Sequence, residues 1–144
     1  MTASPFNQRT IAEFRAKQGR GVGGWGDHLM LMTAHGARSG DAITTPVVWG
    51  RDGDDYVIVA SKGGDPGNPT WFHNIQVNPE VECEVADGGG TEIFKARARV
   101  VRERAERDRL YYEVMSKIWP SFLDYEKQTE RLIPVVVLER VTSG

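Results

Sequence analysis

Between Gly36 and Asn74 the chain gathers side chains that could hold an anion beside a flat ring. The stretch GARSGDAITTP offers hydroxyls on Ser39, Thr44 and Thr45, several backbone N–H groups, and one guanidinium, Arg38. A guanidinium fork suits bidentate contact to phosphate or carboxylate, and successive N–H groups in a turn can form an anion-binding concavity. The stretch SKGG adds the ammonium of Lys62 and two glycines that let backbone approach a ligand closely. Pro46, Trp49, Trp71 and Phe72 are the apolar partners that a ring system needs. On spacing alone, the same residues describe turns and core aromatics equally well.

Other chemistries find less support. His28, His35 and His73 lie far apart, and none has a second histidine or a carboxylate at metal-ligand spacing, so no metal site is expected. Ser39 and Ser61 do not sit in a Gly-x-Ser-x-Gly elbow, which argues against hydrolase chemistry. Alternation places Cys83 with Val81 and Val85, so it reads as a small buried hydrophobe rather than a reactive thiol. The carboxylate pairs Asp54 with Asp55 and Glu103 with Glu106 fall in a turn and on a helix face, where solvated surface is the default.

The elements that must position these residues follow from pattern. SPFNQRTIAEFRAKQGR predicts a helix over about 4–18, with Ser4 as N-cap and Pro5 at its first position. GVGGWGDH reads as a flexible connector, since no strand precedes it and no helix follows. HLMLMTAHG and ITTPVVWGRDGDDYVIVASKG read as three β segments, the last two joined by an Asp-Gly hairpin turn. NPTWFHNIQVNP predicts a short helix that opens after Pro69 and stops before Pro79. EVECEVA and TEIFKARARVV alternate as strands across the DGGG turn. ERAERDRLYYEVMSKIW predicts one helix, with Leu110, Val114 and Ile118 on its apolar face. IPVVVLERV closes as a buried strand. Antiparallel strands in a chain this short most economically close on themselves, which predicts a mainly β, α+β barrel with helices outside.

Composition sets the remaining bounds. At 144 residues the expectation is one domain spanning 1–144, and a formal net charge of −2 disfavours nucleic acid as the main partner. A lone cysteine excludes an intramolecular disulfide and fits a reducing compartment. No leader pattern and no apolar run of membrane-spanning length stands out, so the expected location is cytoplasmic. Phe6, Ile11 and Phe14 would permit, at most, a weak peripheral contact of the first helix with a membrane surface.

The segment GARSGDAITTPVVWGRDGDDYVIVASKGGDPGNPTWFHNIQVNPEVECEV resembles the stretch shared by deazaflavin-dependent nitroreductases, actinobacterial oxidoreductases that use reduced coenzyme F-420. Downstream, WPSFLDYEKQTERLIPV resembles that family's YPxYxxYxxxTxRxIPV. The resemblance implies a six-stranded antiparallel split β-barrel of the FMN-binding kind, with a deazaflavin in a groove on the barrel. It implies hydride transfer to electron-poor compounds: the activated C=C of unsaturated lactones or coumarin-like rings, quinones, and nitro compounds. Two alternatives stand beside it, a non-catalytic F-420 carrier and an FMN-binding split barrel. A monomer and a homodimer are both compatible with the resemblance.

Carried over by residue, the resemblance assigns Arg38 and Ser39 to the cofactor phosphate, and Thr44, Thr45, Pro46 and Val47 to the length of the cofactor. It assigns Val59, Ala60, Ser61 and Lys62, with Thr70, Trp71, Phe72 and Asn74, to the ring and its ribityl chain. Trp119, Phe122 and Tyr125 stand where the family has three tyrosines on the substrate side, which leaves proton delivery to Tyr125 or Ser61. Ala37 and Ile43 replace basic residues common in the family, so Lys62, Arg15, Lys17 or Arg20 would have to supply the missing charge.

Overall fold

A computed structural model describes residues 4–64 and 67–141. Helix α1 (Pro5–Lys17) starts where the sequence signals: the Ser4 hydroxyl accepts the Asn7 N–H at 3.1 Å, and Pro5 occupies the first turn. It stops at Gln18, which adopts the left-handed conformation and is followed by Gly19. A Cβ on Gly19 would lie 3.1 Å from both Phe14 and Ala86, so the chain turns there only because the residue is glycine.

Among the described residues, seven strands form one antiparallel sheet: β1 (Leu29–His35), β2 (Ala42–Val48), β3 (Gly50–Asp52), β4 (Asp55–Val59), β5 (Glu80–Asp87), β6 (Gly90–Val100) and β7 (Val135–Arg140). Their spatial order is β2-β1-β5-β6-β7-β4-β3. Only Trp49 separates β2 from β3, yet they occupy opposite ends of that order. The sheet therefore curls until its two ends are neighbours along the chain. Trp49 is also why there are seven strands rather than the expected six: it divides one apolar run into a piece paired with β1 and a piece paired with β4.

Burial explains the sequence patterns. Met30, Met32, Tyr56, Ile58, Cys83, Val136 and Leu138 pack inside the curl, while Val57, Val59, Val135 and Val137 face outward into a second core under the helices. β4 and β7 are thus covered on both faces and read as continuous apolar runs, whereas β5 and β6 alternate because one face is exposed. A third cluster joins Phe14 and Val22 to Leu29 and Leu31, with Ile11 against it. Of the three apolar residues that suggested a membrane-facing first helix, only Phe6 is exposed, so most of that face is used in packing.

Four further helices cover the sheet: α2 (Thr70–Val77), α3 (Arg104–Asp108), α4 (Ser116–Ile118) and α5 (Ser121–Lys127). The single helix expected over 103–119 is interrupted by a π-helical segment, Arg109–Met115, between α3 and α4. Its wider turn moves the buried face from Leu110, Val114 and Ile118 to Leu110, Tyr111 and Met115. Gly50 accommodates the crossing, because a Cβ there would lie 2.8 Å from both Met115 and Ile118.

Candidate active site

β2 borders the site and forms an outer strand of the sheet. The Trp49 N–H donates to the His28 carbonyl at 2.9 Å, which fixes the alternation of the β1–β2 ladder. Residues 43, 45 and 47 bond to β1, and residues 44, 46 and 48 turn their backbone groups to the open edge. Pro46, which has no N–H, sits where no ladder bond is lost. Thr44 and Val48 leave donors on that edge.

A cavity of about 680 Å³ opens beside it. That lies within the roughly 300–1,000 Å³ range of small-molecule sites. One wall consists of Thr45, Pro46 and Val47 from β2, Val59 at the end of β4, Ser61 and Lys62 just after it, and Thr70, Trp71 and Asn74 from α2. The rest of the lining includes Trp119, Phe122 and Tyr125, which span the entry to α5 and its first two turns and cluster with Val59. Lys62 is the only charged residue among the described residues that line it, and no carboxylate joins it. A ligand with negative charge at one end and an apolar ring at the other matches this lining.

Most, but not all, of the sequence-assigned residues converge here. Arg38 and Ser39 are exposed on the β1–β2 loop outside the lining, and Ser39 caps that loop by accepting the Asp41 N–H at 3.1 Å. The loop still adjoins the cavity through Asn74, whose carboxamide oxygen accepts the Ala37 N–H at 3.1 Å. Thr44 lies off the lining, with its hydroxyl 2.7 Å from that of Thr33. Ala60, Phe72 and Trp49 pack in or against the interior core instead of the site. Arg15 pairs with Glu84, Lys17 with Glu13, and Arg20 donates to the Gly88 and Gly90 carbonyls, so none of the three supplies the charge missing at Ala37 and Ile43. Of the four, Lys62 is the one that lines the cavity.

Three residues that the sequence reading did not assign shape the site most directly. Phe6 and Trp25 line the cavity, and Trp25 lies 6.4 Å from Trp119 and 6.3 Å from Phe6, centroid to centroid. Trp25 belongs to a short 3-10 turn, Gly23–Trp25, pinned by the Glu13 carboxylate on the Gly23 N–H and the Asp27 carboxylate on the Gly21 N–H. The glycine-rich stretch is thus an ordered mount for a tryptophan rather than a connector. Arg131 donates to the Ala60 and Ser61 carbonyls at 3.2 and 2.8 Å and to Asn68 at 2.8 Å, which holds the Lys62 loop from behind. Its signal was present in the TxR of the second motif.

The titratable groups sharpen the assignment. Burial, with Glu82 beside it, pushes the Cys83 thiol up to about 12, which keeps it protonated and out of the chemistry. The Trp119 indole donates to the Tyr125 hydroxyl at 3.4 Å. An indole N–H can only donate, so Tyr125 accepts there and keeps its own proton for another acceptor.

Residues 7–140 match the sequence pattern of the F420H(2)-dependent quinone reductase family. The chain belongs to that family. An F420H(2)-dependent quinone reductase of Mycobacterium tuberculosis is 40% identical over 112 residues, which cover 77% of this chain and 72% of the relative. A second mycobacterial relative of similar name is 29% identical over 109 residues. Among solved structures, an F420-H2 dependent reductase, FDR-A, shares 32% identity at a TM-score of 0.68, covering 78% of this chain and 94% of that one. The haem storage protein HutZ of Vibrio cholerae, at 16% identity and a TM-score of 0.60, shares the fold alone, covering 99% of this chain and 93% of that one.

The family member described here is an oxidoreductase with coenzyme F-420 as its cofactor. The donor set fits that group: hydroxyls on Thr45, Ser61 and Thr70, one ammonium, apolar flanks and no opposing carboxylate among the described lining residues. Gly63 also lines the cavity, and a Cβ there would meet nothing within 4 Å.

Proposed function

We propose that this reductase seats the deazaflavin on the β2–β4–α2 wall and the quinone against Trp25, Trp119 and Phe122. The observation that carries this reading is a cavity whose described lining residues include one cation, Lys62, no carboxylate, and the aromatic rings of Trp25, Trp119 and Phe122. Lys62 would hold the anionic portion of the cofactor, and Thr45, Ser61, Thr70 and Asn74 would fix its polar edges. When bound, the reduced deazaflavin supplies a hydride. The chain's own part is then to orient the acceptor, exclude water and deliver a proton.

Tyr125 is assigned the proton, because its hydroxyl accepts from Trp119 and so points donor capacity elsewhere. Ser61, which also lines the cavity, is the other candidate for proton delivery. Phe122 has no proton to give, so flat acceptors such as quinones, unsaturated lactones and coumarin-like rings suit this wall better than nitro compounds. The complete reading is one split-barrel domain acting in the cytoplasm. Association into a homodimer draws support from a solved chain described as a domain-swapped dimer, 32% identical at a TM-score of 0.69, covering 94% of this chain and 100% of that one.

The test mixes pure protein with reduced F-420 and 1,4-naphthoquinone under anaerobic conditions. Return of the absorbance of oxidised F-420, at a rate proportional to protein, is expected. Tight binding of F-420 with no quinone-dependent oxidation would show a carrier, and a protein purified yellow with FMN would show the wrong cofactor.

A further inference from the structure

The π-helical segment lies outside the cavity, yet it organises one side of it. Such segments are rare, appear mostly as single turns inside α-helices, and occur often at functional sites. Here the widened turn sends Tyr111 inward beside Leu110, and both are buried. The Tyr111 hydroxyl donates to the Phe122 carbonyl at 2.5 Å, and its ring lies 6.1 Å from that of Phe122. One turn earlier Arg107, only 3% exposed, stacks 4.3 Å above the Tyr111 ring. Its Nε and Nη2 both donate to the Ile133 carbonyl, at 3.1 and 2.8 Å.

Phe122 is the second residue of α5, and Ile133 lies beyond its end, just before β7. Two neighbouring side chains on one helical segment therefore grip the entry and the exit of the excursion that carries Phe122 and Tyr125. A third link is nearby: the Tyr112 hydroxyl donates to Glu126 at 2.7 Å. A buried guanidinium is costly unless paired and fully hydrogen-bonded. Asp108 supplies the charge, accepting from Arg107 Nη1 at 2.9 Å.

We propose that Arg107 and Tyr111 form a clasp that positions α5 and thereby sets the shape of the quinone-facing wall. Both are positioning residues, since neither lines the cavity. The inference rests on the assignment of that wall to the quinone. It also predicts a division of labour between two arginines. Arg107 serves the α5 wall, and Arg131, bonded to Ala60, Ser61 and Asn68, serves the loop bearing Lys62.

Tyr111→Phe, Tyr112→Phe and Arg131→Gln test this in the full-length protein. Removing one buried hydrogen bond should raise KM for 1,4-naphthoquinone about fivefold in Tyr111→Phe, with kcat within about twofold. The dissociation constant for oxidised F-420, read by fluorescence titration without quinone, should stay at the wild-type value. Tyr112→Phe, which keeps the buried contacts, should move KM in the same direction by a smaller factor, and it carries the test if Tyr111→Phe does not fold. Arg131→Gln should do the reverse, weakening F-420 binding and sparing the quinone KM. An unchanged quinone KM in Tyr112→Phe and in any folded Tyr111→Phe, or an F-420 affinity that falls as much as the quinone affinity, overturns the clasp. A wild-type protein that binds F-420 but does not oxidise its reduced form when 1,4-naphthoquinone is supplied overturns the functional reading, and the clasp with it.

Discussion

The two walls of the cavity are built on different principles. The wall assigned to the cofactor comes from one stretch of chain, 45–74, with its β2 and β4 residues held by ladder hydrogen bonds at fixed register and its Lys62 turn held by the Arg131 side chain. The part assigned to the quinone comes from three places, Phe6 on α1, Trp25 on the glycine-rich turn, and Trp119 to Tyr125 around α5. Side-chain bonds and ring contacts fix it: Trp25 against Trp119, Tyr111 on the Phe122 carbonyl, Glu13 on the Gly23 N–H. A sheet wall is rigid and can present a fixed pattern of donors to one cofactor. A wall of side chains on short helices can change its shape by single substitutions without touching the sheet, which would suit the proposed role of this wall in choosing the acceptor.

This contrast can be broken most severely at Lys62. A charge-assisted hydrogen bond contributes about 1.5–3 kcal/mol, so Lys62→Ala should weaken F-420 binding by roughly ten- to a hundredfold. The loss should shrink as salt rises, and the quinone KM should not follow it. Next comes Trp25→Ala, which removes a large apolar face from the other wall. A rise of about tenfold in the quinone KM is expected, with F-420 affinity intact by fluorescence titration. Phe122→Tyr adds a hydroxyl to the same wall, and should shift turnover or acceptor preference severalfold across a panel of quinones, lactones and nitro compounds. Identical kinetics on every member of the panel would remove Phe122 from the account. Arg38→Ala probes the loop that lies outside the lining, and should change F-420 affinity by less than about fivefold, since an exposed ion pair contributes about 1 kcal/mol or less.

The smallest effect expected is on acid stability. Hydrogen bonds from Arg109 and Arg140 hold Asp52 and Glu92 below their ordinary values, while Asp108 is held low by Arg107 and Arg104 against an upward push from burial. Carboxylates depressed in the folded state stabilise it above their unfolded pKa of about 4, and that contribution is lost as pH falls through the folded values. The melting temperature should therefore be level from about pH 8 to 5 and fall below about 4. A fall that begins above pH 5 would point to groups other than these three.

What the sequence revealed follows the same division. Strand alternation in EVECEVA, the capped start at Ser4 and the proline-bounded helix at 70–77 were legible because each is decided by local pattern. So were Thr45, Ser61, Lys62 and Trp71, which lie within one motif. The break at Trp49 was hidden because both halves of ITTPVVWGRD are apolar or β-branched, and only the curl decides that they pair with different neighbours. The π-helical segment was hidden because Leu110, Val114 and Ile118 satisfy an ordinary helical period, and packing against Gly50 overrides it. Trp25 and Phe6 could not be assigned from pattern, since only tertiary structure brings residues near 6 and 25 beside Trp119.

The most direct test of the two-wall account is steady-state oxidation of reduced F-420 by 1,4-naphthoquinone, with both concentrations varied, for the wild type, Lys62→Ala and Trp25→Ala. The account predicts that Lys62→Ala raises KM for the cofactor alone and Trp25→Ala raises KM for the quinone alone. Two variants that raise the same KM, or both together, would contradict it.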